Sequence, residues 1–291
     1  MDDKWVGVLG ATSFVGECLL QRLTGAGWQV TAFSRRATRQ STESIDWRQI
    51  SPLPGEPYAQ VEENIHYWIC VAPIWLLPEC FGLLEMHGAR RVVALSSTSR
   101  FTKDSSTDPQ EQAMASQLAD AEERLQVWAK SKGVEWVILR PTLIYGLARD
   151  KNISEIARFI RRFSFFPLLG LAEGLRQPLH VEDVAGACFS ALNTPSVVNR
   201  AYNISGVETL SYREMVSRVF AAMGRRPRLL TVPLGVFRLA VACLRWLPRY
   251  RHWSAAMAER MNRDLVFDHT EATRDFGFHP RAFMLSIGDV S

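Results

Sequence analysis

The sequence has few cysteines, and no two of them are spaced as a ligand or redox pair. Cys18, Cys70, Cys80, Cys188 and Cys243 are scattered over 291 residues without a Cys-x-x-Cys motif. This pattern excludes a disulfide framework and a zinc ribbon, and it fits a reducing compartment. The chain opens on Met-Asp-Asp-Lys and passes directly into a strand-like run. We therefore expect no secretory signal and a soluble, cytoplasmic protein.

An excess of charge of one sign is also lacking over the chain as a whole. The formal net charge is +4, charged residues make up 22% and apolar residues 47%, which is ordinary globular composition and excludes disorder and coiled coil. We predict no nucleic-acid partner from this balance. The distribution is uneven, because residues 221–260 hold eight Arg, one Glu and no Lys. Such a region attracts phosphates, acidic lipids or an acidic partner, or it forms a solvated basic surface.

The first 140 residues alternate short apolar runs with amphipathic stretches. Helix-length segments such as 14–26 and 76–87 lie between several of the runs. This alternation is typical of βαβ units and of a parallel sheet that is covered on both faces. The runs predict five buried strands, Trp5–Leu9, Gln29–Phe33, Trp68–Val71, Arg91–Leu95 and Trp136–Leu139.

The clearest helix is predicted over 109–130. Asp108 is a favourable N-cap, Pro109 occupies the first helical position and Glu111 completes an arrangement like a capping box. Further along the chain, Ser211 and Glu214 predict the start of another helix, which runs to about residue 223. The apolar positions of the first helix recur at steps of four and three and predict one inward face, formed by Met114, Leu118, Ala121, Leu125 and Trp128.

A loop of small residues joins the first predicted strand to the first helix. The strand Trp5–Leu9 ends in Gly10-Ala-Thr-Ser-Phe-Val-Gly16. Free N–H groups and the helix dipole face an anion at such a junction, and glycine lets a pyrophosphate approach the backbone. The sequence therefore predicts dinucleotide binding here, and the alternative is a purely structural tight turn.

The same loop resembles the GATGFIG loop of the extended short-chain dehydrogenase/reductases, the NAD-dependent epimerase/dehydratase family. The resemblance implies an α/β fold, with a Rossmann-type doubly wound parallel sheet and a smaller C-terminal α/β substrate lobe. It implies an NAD(P)-binding domain over 1–146, with returning segments at about 177–205. The lobe then comprises about 147–176 and 206–291. Four further segments are similar to family motifs in the same order, Leu95-Ser-Ser-Thr98, Leu139-Arg-Pro-Thr-Leu-Ile-Tyr-Gly146, Gln177-Pro-Leu-His-Val-Glu-Asp-Val-Ala185 and Tyr202-Asn-Ile-Ser-Gly206.

The resemblance also implies which residues contact the cofactor. Ser13 stands at the family's middle glycine, where its hydroxyl is available to bond a phosphate or to cap the helix. Ser34 stands where an NAD site has an acidic side chain, and Arg35 and Arg36 follow it. We therefore predict a preference for NADP(H) over NAD(H), because arginine accommodates the additional phosphate. The predicted cofactor contacts are Gly10, Thr12, Ser13, Phe14, Val15, Gly16, Ser34, Arg35, Arg36, Ala72 and Pro141.

The family's acid/base pair is missing. In the family a Tyr on the helix after the fifth strand is the general acid/base and a Lys four residues later lies on the same helical face. Aligned to that pattern, Met114 stands at the tyrosine and Leu118 at the lysine. Thr98 remains at the catalytic Ser/Thr position. Tyr145 is either a substitute acid or a packed aromatic, and His180 is either a proton donor or a histidine with satisfied hydrogen bonds.

Two functions from different classes remain open from the sequence. One is a nucleotide-sugar epimerase or reductase with a rearranged acid/base, in which Arg158, Arg161 or Arg162 holds a substrate diphosphate. The other is a non-catalytic dinucleotide-binding module for sensing or assembly, similar to atypical members such as a respiratory complex I accessory subunit. The substrate is otherwise unknown, with a nucleotide sugar or a hydrophobic ligand as the candidates.

Residues 229–247 are apolar nearly all round. Arg238, Arg245 and Pro233 argue against a membrane span. A core or interface helix is one interpretation, and a lid over a hydrophobic substrate is another. The third is a peripheral membrane or protein contact through 229–253, with Arg249, Tyr250, Arg251 and Trp253 at the headgroups.

Overall fold

The structure, a computed structural model, describes residues 4–35, 40–50, 64–235 and 255–290 of the chain. The strands are β1 (Trp5–Leu9), β2 (Gln29–Ser34), β3 (Ile45–Gln49), β4 (Tyr67–Cys70), β5 (Arg91–Leu95), β6 (Glu135–Pro141), β7 (Ile144–Tyr145), β8 (Phe166–Leu169), β9 (Leu175–Arg176), β10 (Leu179–His180), β11 (Arg200–Ile204), β12 (Leu210–Ser211) and β13 (Leu229–Val232). The helices are α1 (Phe14–Gly25), a 3₁₀ helix (Ile74–Cys80), α2 (Phe81–Met86), α3 (Ser99–Thr102), α4 (Pro109–Lys132), α5 (Ile153–Phe163), α6 (Val181–Asn193), α7 (Tyr212–Ala222), α8 (Ala255–Asn262), α9 (Thr270–Phe276) and α10 (Ile287–Val290).

Seven strands form one sheet in the order β11-β6-β5-β4-β1-β2-β3. Every neighbouring pair in this sheet is parallel. Chain order reverses between β1 and β4, because β2 and β3 extend the sheet on one side and β4, β5, β6 and β11 on the other. The predicted Rossmann-type α/β fold is confirmed.

The five predicted strands form, and their bounds shift by no more than two residues. Strand β3 was not predicted, because this edge strand has a half-exposed side-chain pattern and carries no continuous apolar run. The predicted helix over 76–87 was wrong in form, since Ile74–Cys80 is a 3₁₀ helix and α2 begins only at Phe81. Pro78 lies inside the 3₁₀ stretch and has no N–H with which to continue an α-helix.

Helix α4 begins as predicted and ends two residues later than predicted. The Asp108 carboxylate accepts from the Gln110 amide at 2.9 Å, and Gly133 ends the helix with φ of 66°. The capping box does not form, because Glu111 accepts from the Ser106 hydroxyl at 2.7 Å and also pairs with Arg260. The predicted inward face was wrong at one position, since Met114 is 38% exposed.

Two apolar clusters cover the two faces of the large sheet, and a third lies in the later part of the chain. Helices α1 and α6 pack on one face, whereas α4 and the 3₁₀ helix pack on the other. The third cluster joins α5, α7 and β8. The segment predicted to return to the sheet supplies α6 and β11. The domain boundaries themselves stay a prediction.

The apolar segment that starts at residue 229 does not begin as a helix. Leu229–Val232 is strand β13, which pairs in parallel with β8, so the helical interpretation was wrong for these four residues. Residues 236–254, which hold most of the rest of that prediction, lie outside the described residues. Within the described ranges, none of the helices combines the length and the apolar character that a membrane crossing requires.

Candidate dinucleotide site and the adjoining acid/base region

The predicted site residues gather at the carboxyl edge of the large sheet. Gly10 follows β1, Ser34 ends β2, Ala72 follows β4, Thr98 follows β5, and Pro141 ends β6. Because these strands are parallel and adjacent, their ends meet at one edge. The β1–β4 junction is the point at which chain order reverses, and open α/β sheets bind ligands in the crevice there.

The loop between β1 and α1 is folded so tightly that only glycine fits at both of its ends. Gly10 has φ of +83°, and a Cβ there would stand 2.4 Å from the amide nitrogen of Ala72. A Cβ on Gly16 would stand 2.5 Å from the carbonyl oxygen of Gly10. The two glycines therefore let β1, the loop and the segment after β4 approach one another at backbone distance.

Ser13 uses its hydroxyl to cap helix α1. Its oxygen accepts from the Gly16 amide at 3.0 Å, and its own amide donates to the Gly10 carbonyl at 2.9 Å. Of the two roles predicted for the Ser13 hydroxyl, phosphate binding and helix capping, the structure shows helix capping. The amides of Phe14 and Val15 stand in the first turn, where a helix supplies no internal acceptors. With Thr12 exposed beside them, these amides leave the first turn of α1 open to an acceptor from outside the helix, as at known anion sites.

The end of β2 carries Ser34 and Arg35, two of the residues that are predicted to contact the adenosine ribose. Ser34 is 8% exposed and Arg35 is exposed, whereas Arg36 lies outside the described residues. The carboxylate of Asp46 on the neighbouring strand β3 is occupied, because it accepts from Arg48 at 2.7 Å and from Ser41 at 3.2 Å. Among the described residues, the end of β2 therefore carries a buried hydroxyl and an exposed guanidinium, and the nearby Asp46 carboxylate is already paired.

Thr98 lies at the other side of the crevice and is held by the end of β6. Its amide and its hydroxyl both donate to the Pro141 carbonyl, at 3.1 Å and 3.0 Å. The side chain is buried, with 6% of its surface exposed. Since its proton is already donated, the Thr98 oxygen is available as an acceptor and not as a donor.

Helix α4 carries no group that transfers protons at the two aligned positions. Leu118 is 3% exposed and packs in the apolar cluster against the sheet. Met114 points to the surface, where Lys103 donates to its sulfur. Burial lowers the pKa of Lys103, while Glu111 opposes that shift. All 24 residues of α4 are described, and none is a tyrosine.

A buried carboxylate one turn beyond Leu118 was missed by the sequence analysis. Glu122 is fully buried and accepts from the Ser96 hydroxyl at 2.5 Å. It pairs with Arg140 at 2.5 Å and also with Arg100. The network ties α4 to the ends of β5 and β6. A signal for it was present, because Glu122 lies on the apolar stripe between Leu118 and Leu125.

Tyr145 is a packed aromatic rather than an exposed acid. Its ring is fully buried against His180, with centroids 5.2 Å apart, and against Phe283 at 4.9 Å. Its hydroxyl has no hydrogen-bond partner among the described residues. Burial raises the pKa of Tyr145 well above its ordinary value, and the carboxylates of Asp289 and Asp183 add to that shift.

His180 accepts a hydrogen bond and begins a helix. Its Nδ1 accepts from the Glu182 amide at 3.3 Å at the start of α6, and its Nε2 lies 3.6 Å from Asp289. Burial on its own would raise the pKa of Asp289. Hydrogen bonds from Ser286 and from the Leu147 amide, together with His180, instead hold it below the ordinary value.

The arginines proposed to hold a substrate diphosphate do not share one contact. Arg158 pairs with Glu155 at 3.6 Å, and Arg161 donates to the Val290 carbonyl. Arg162 lies over the ring of Phe163, 5.4 Å from its centroid. A different arginine approaches the phosphate loop, since Arg149 pairs with Glu17 in the first turn of α1.

The sequence is similar to those of a known epimerase and a known subunit of NADH dehydrogenase. Residues 79–205 match the NAD dependent epimerase/dehydratase family. A UDP-glucose 4-epimerase from Vibrio cholerae is 24% identical over 42% of this chain and 37% of its own length. Subunit 9 of the NADH dehydrogenase [ubiquinone] 1 alpha subcomplex from Arabidopsis thaliana is 23% identical over 81% of this chain and 62% of its own length. The chain thus spans less than two thirds of either relative.

The fold agrees over nearly the whole chain. The structure of MoeE5 in complex with UDP-glucose and NAD superposes with a TM-score of 0.68 at 21% identity, covering 95% of this chain and 93% of that one. The protein therefore has a Rossmann-type α/β fold. The predicted resemblance to the NAD-dependent epimerase/dehydratase family is confirmed for residues 79–205, which the family model matches.

Proposed function

We propose that this protein binds NADP(H) at the β1–α1 loop and uses the bound dinucleotide for sensing or assembly rather than for tyrosine-dependent turnover. One contrast carries the proposal. The loop keeps the backbone cradle for a pyrophosphate, while α4 has Met114 and Leu118 at the aligned acid/base positions and an ion-paired Glu122 one turn further on. The relative from Arabidopsis, by its name a subunit of NADH dehydrogenase, supports a role in an assembly.

In this proposal each part of the cofactor has its own contacts. Gly10, the first turn of α1 and Gly16 accommodate the pyrophosphate, and Ala72 lies within backbone distance of the loop. Pro141 and Thr98 border the crevice where the nicotinamide belongs. Bound nicotinamide would supply hydride transfer. Thr98 would orient a substrate hydroxyl by accepting its hydrogen bond, and no residue of α4 would move the proton.

The preference for NADP(H) depends on Ser34, Arg35 and Arg36. A 2′-phosphate meets no carboxylate at the end of β2 and gains the guanidinium groups of the two arginines. Charge-assisted hydrogen bonds are worth ~1.5–3 kcal/mol each, so that after solvent screening we expect roughly ten- to a hundredfold tighter binding of NADPH than of NADH.

Calorimetric titration with both nucleotides tests this assignment. We expect Arg35→Ala/Arg36→Ala to abolish the preference while NADH affinity stays unchanged. The matched control is Arg90→Ala, an exposed arginine that precedes β5 at the opposite edge of the sheet. Equal affinities in the unchanged protein, or a preference that survives the double substitution, would contradict the assignment.

A second candidate is an epimerase or reductase that acts on a nucleotide sugar with its acid/base elsewhere. The retained Thr98 favours it, as do the Vibrio cholerae relative and the neighbour solved with UDP-glucose. Stopped-flow absorbance of bound NADPH, mixed with a panel of nucleotide sugars and quinones, separates the two functions. Oxidation that is lost in Thr98→Ala would establish the enzyme, whereas binding without oxidation across the panel would support the sensing or assembly role.

A further inference from the structure

A patch of arginine and apolar side chains lies far along the chain from the dinucleotide site, where α5 ends and β13 begins. The Phe166 amide donates to the Arg228 carbonyl at 2.9 Å, which joins the start of β8 to the residue before β13. The Arg225 guanidinium donates to the Ile160 carbonyl near the end of α5 at 3.0 Å. We call the six residues around this junction the arginine–phenylalanine patch, namely Arg162, Phe163, Phe165, Arg226, Arg228 and Leu230.

The apolar members of the patch are exposed although they are large. Phe163 is 48% exposed, Phe165 is 36% exposed and Leu230 is 55% exposed. Ser164 ends α5 in the left-handed conformation with φ of 61°, so that a phenylalanine stands on either side of the turn. Both rings contact Phe159, at centroid distances of 4.7 Å and 5.8 Å. Phe159 therefore restrains both exposed rings by packing against them.

The charge of the patch is positive and unbalanced. Arg162 contacts the face of Phe163, and Arg226 and Arg228 are exposed. None of these three arginines pairs with a carboxylate in the part of the chain that the structure describes. Glu155, on the same helix as Arg162, pairs with Arg158 instead. Residues 221–260 as a whole carry eight Arg against one Glu.

We infer that the arginine–phenylalanine patch docks the protein on a lipid surface with anionic headgroups. Arginine binds lipid phosphates, and aromatic rings on the same patch enter the boundary between headgroups and acyl chains. A solvated basic surface would need no exposed phenylalanines among its arginines. An acidic protein could also pair with the positive charge of the patch. Binding to vesicles that contain no protein distinguishes a lipid partner from a protein partner.

The experiment is co-sedimentation of the full chain with phosphatidylcholine vesicles that contain or lack phosphatidylglycerol. We expect binding only with phosphatidylglycerol and a loss of binding at high salt, because each surface arginine contributes about fivefold to partitioning. The substitutions Arg162→Gln/Arg226→Gln/Arg228→Gln should weaken partitioning about a hundredfold. Phe163→Ser/Phe165→Ser should weaken it at unchanged charge, by about tenfold or more.

The matched control removes the same charge from the other part of the molecule. Arg90→Gln/Arg124→Gln/Lys130→Gln alters three exposed cations beside the large sheet, and we expect it to change partitioning less than threefold. Circular dichroism confirms the fold of each variant. The inference is wrong if the unchanged protein does not sediment with anionic vesicles at low salt, or if the patch and control triples lose binding equally. NADPH titration of the same variants reports on the dinucleotide site separately.

Discussion

The β1–α1 loop lies at the carboxyl edge of the sheet and helix α4 packs on one of its faces, and the first depends on backbone groups whereas the second depends on side chains. The loop is a backbone structure, in which Gly10 and Gly16 permit close approach and the first turn of α1 offers amides. Helix α4 offers side chains, of which Leu118 packs in the core, Glu122 belongs to an ion-pair network and Met114 points to the surface. A backbone site needs only an absence of Cβ atoms, whereas an acid/base site needs particular residue types at particular positions.

The largest expected effect tests whether α4 stabilises the fold through the Glu122 ion-pair network. Glu122→Ala leaves the guanidinium groups of Arg140 and Arg100 without their carboxylate, and breaking a buried pair in this way costs about 3–5 kcal/mol. Chemical denaturation measures the free energy of unfolding. The neighbouring Glu123 is exposed, and Glu123→Ala should change stability by less than about 0.5 kcal/mol. Equal effects of the two substitutions would show that the network does not hold α4.

The next effect tests the loop. Gly10→Ala places a Cβ 2.4 Å from the Ala72 amide at a positive φ, so we expect a loss of about 1–3 kcal/mol in stability and at least a tenfold loss in NADPH affinity. Gly25 is the last residue of α1, and a Cβ there would meet nothing within 4 Å. Gly25→Ala should bind NADPH normally and be unchanged or slightly more stable. Unchanged NADPH binding by Gly10→Ala would remove the loop from the cofactor site.

A smaller effect concerns acidification. The folded pKa of Asp289 lies below its unfolded value of about 3.9, so the unfolded chain takes up the proton first. The stability contributed by this carboxylate is present above about pH 4 and is lost as the pH falls through the folded pKa. We expect Asp289→Asn to be less stable at neutral pH and to lose less stability on acidification. The matched control, Asp120→Asn, changes an exposed residue and should keep the pH dependence of the unchanged protein.

The smallest effect is expected at Tyr145. Its hydroxyl is buried and makes no hydrogen bond within the described ranges, so Tyr145→Phe removes an unsatisfied group and should be neutral or slightly stabilising, by less than about 1 kcal/mol. Thermal unfolding and NADPH binding should both stay close to those of the unchanged protein. If the unchanged protein oxidises NADPH and this variant does not, Tyr145 is the acid of a working enzyme. The proton would then come from outside α4, and the lack of a tyrosine on α4 would not argue against catalysis.

Prediction from the sequence was most successful where local pattern and local structure coincide. The Asp108 cap, the Ser211 cap and the five apolar strands are short-range features, and the structure has all of them. It failed at Met114, because the buried face of α4 passes through the adjacent Ala115 and through Glu111 instead. It also missed the Glu122 network, because its partners Ser96 and Arg140 lie 26 and 18 residues away in the chain.

By itself the sequence determined the βαβ order, the glycine loop after the first strand and the lack of a tyrosine on the long helix. These three features depend on residue types and on short spacings along the sequence. Only the tertiary structure decided that Ser13 caps α1, that Thr98 donates its proton to the β6 carbonyl, and that Tyr145 is sealed beneath Phe283. Hydrogen-bond donors and buried rings take whichever partner the packed sheet places beside them, and the order of residues along the chain does not specify that partner.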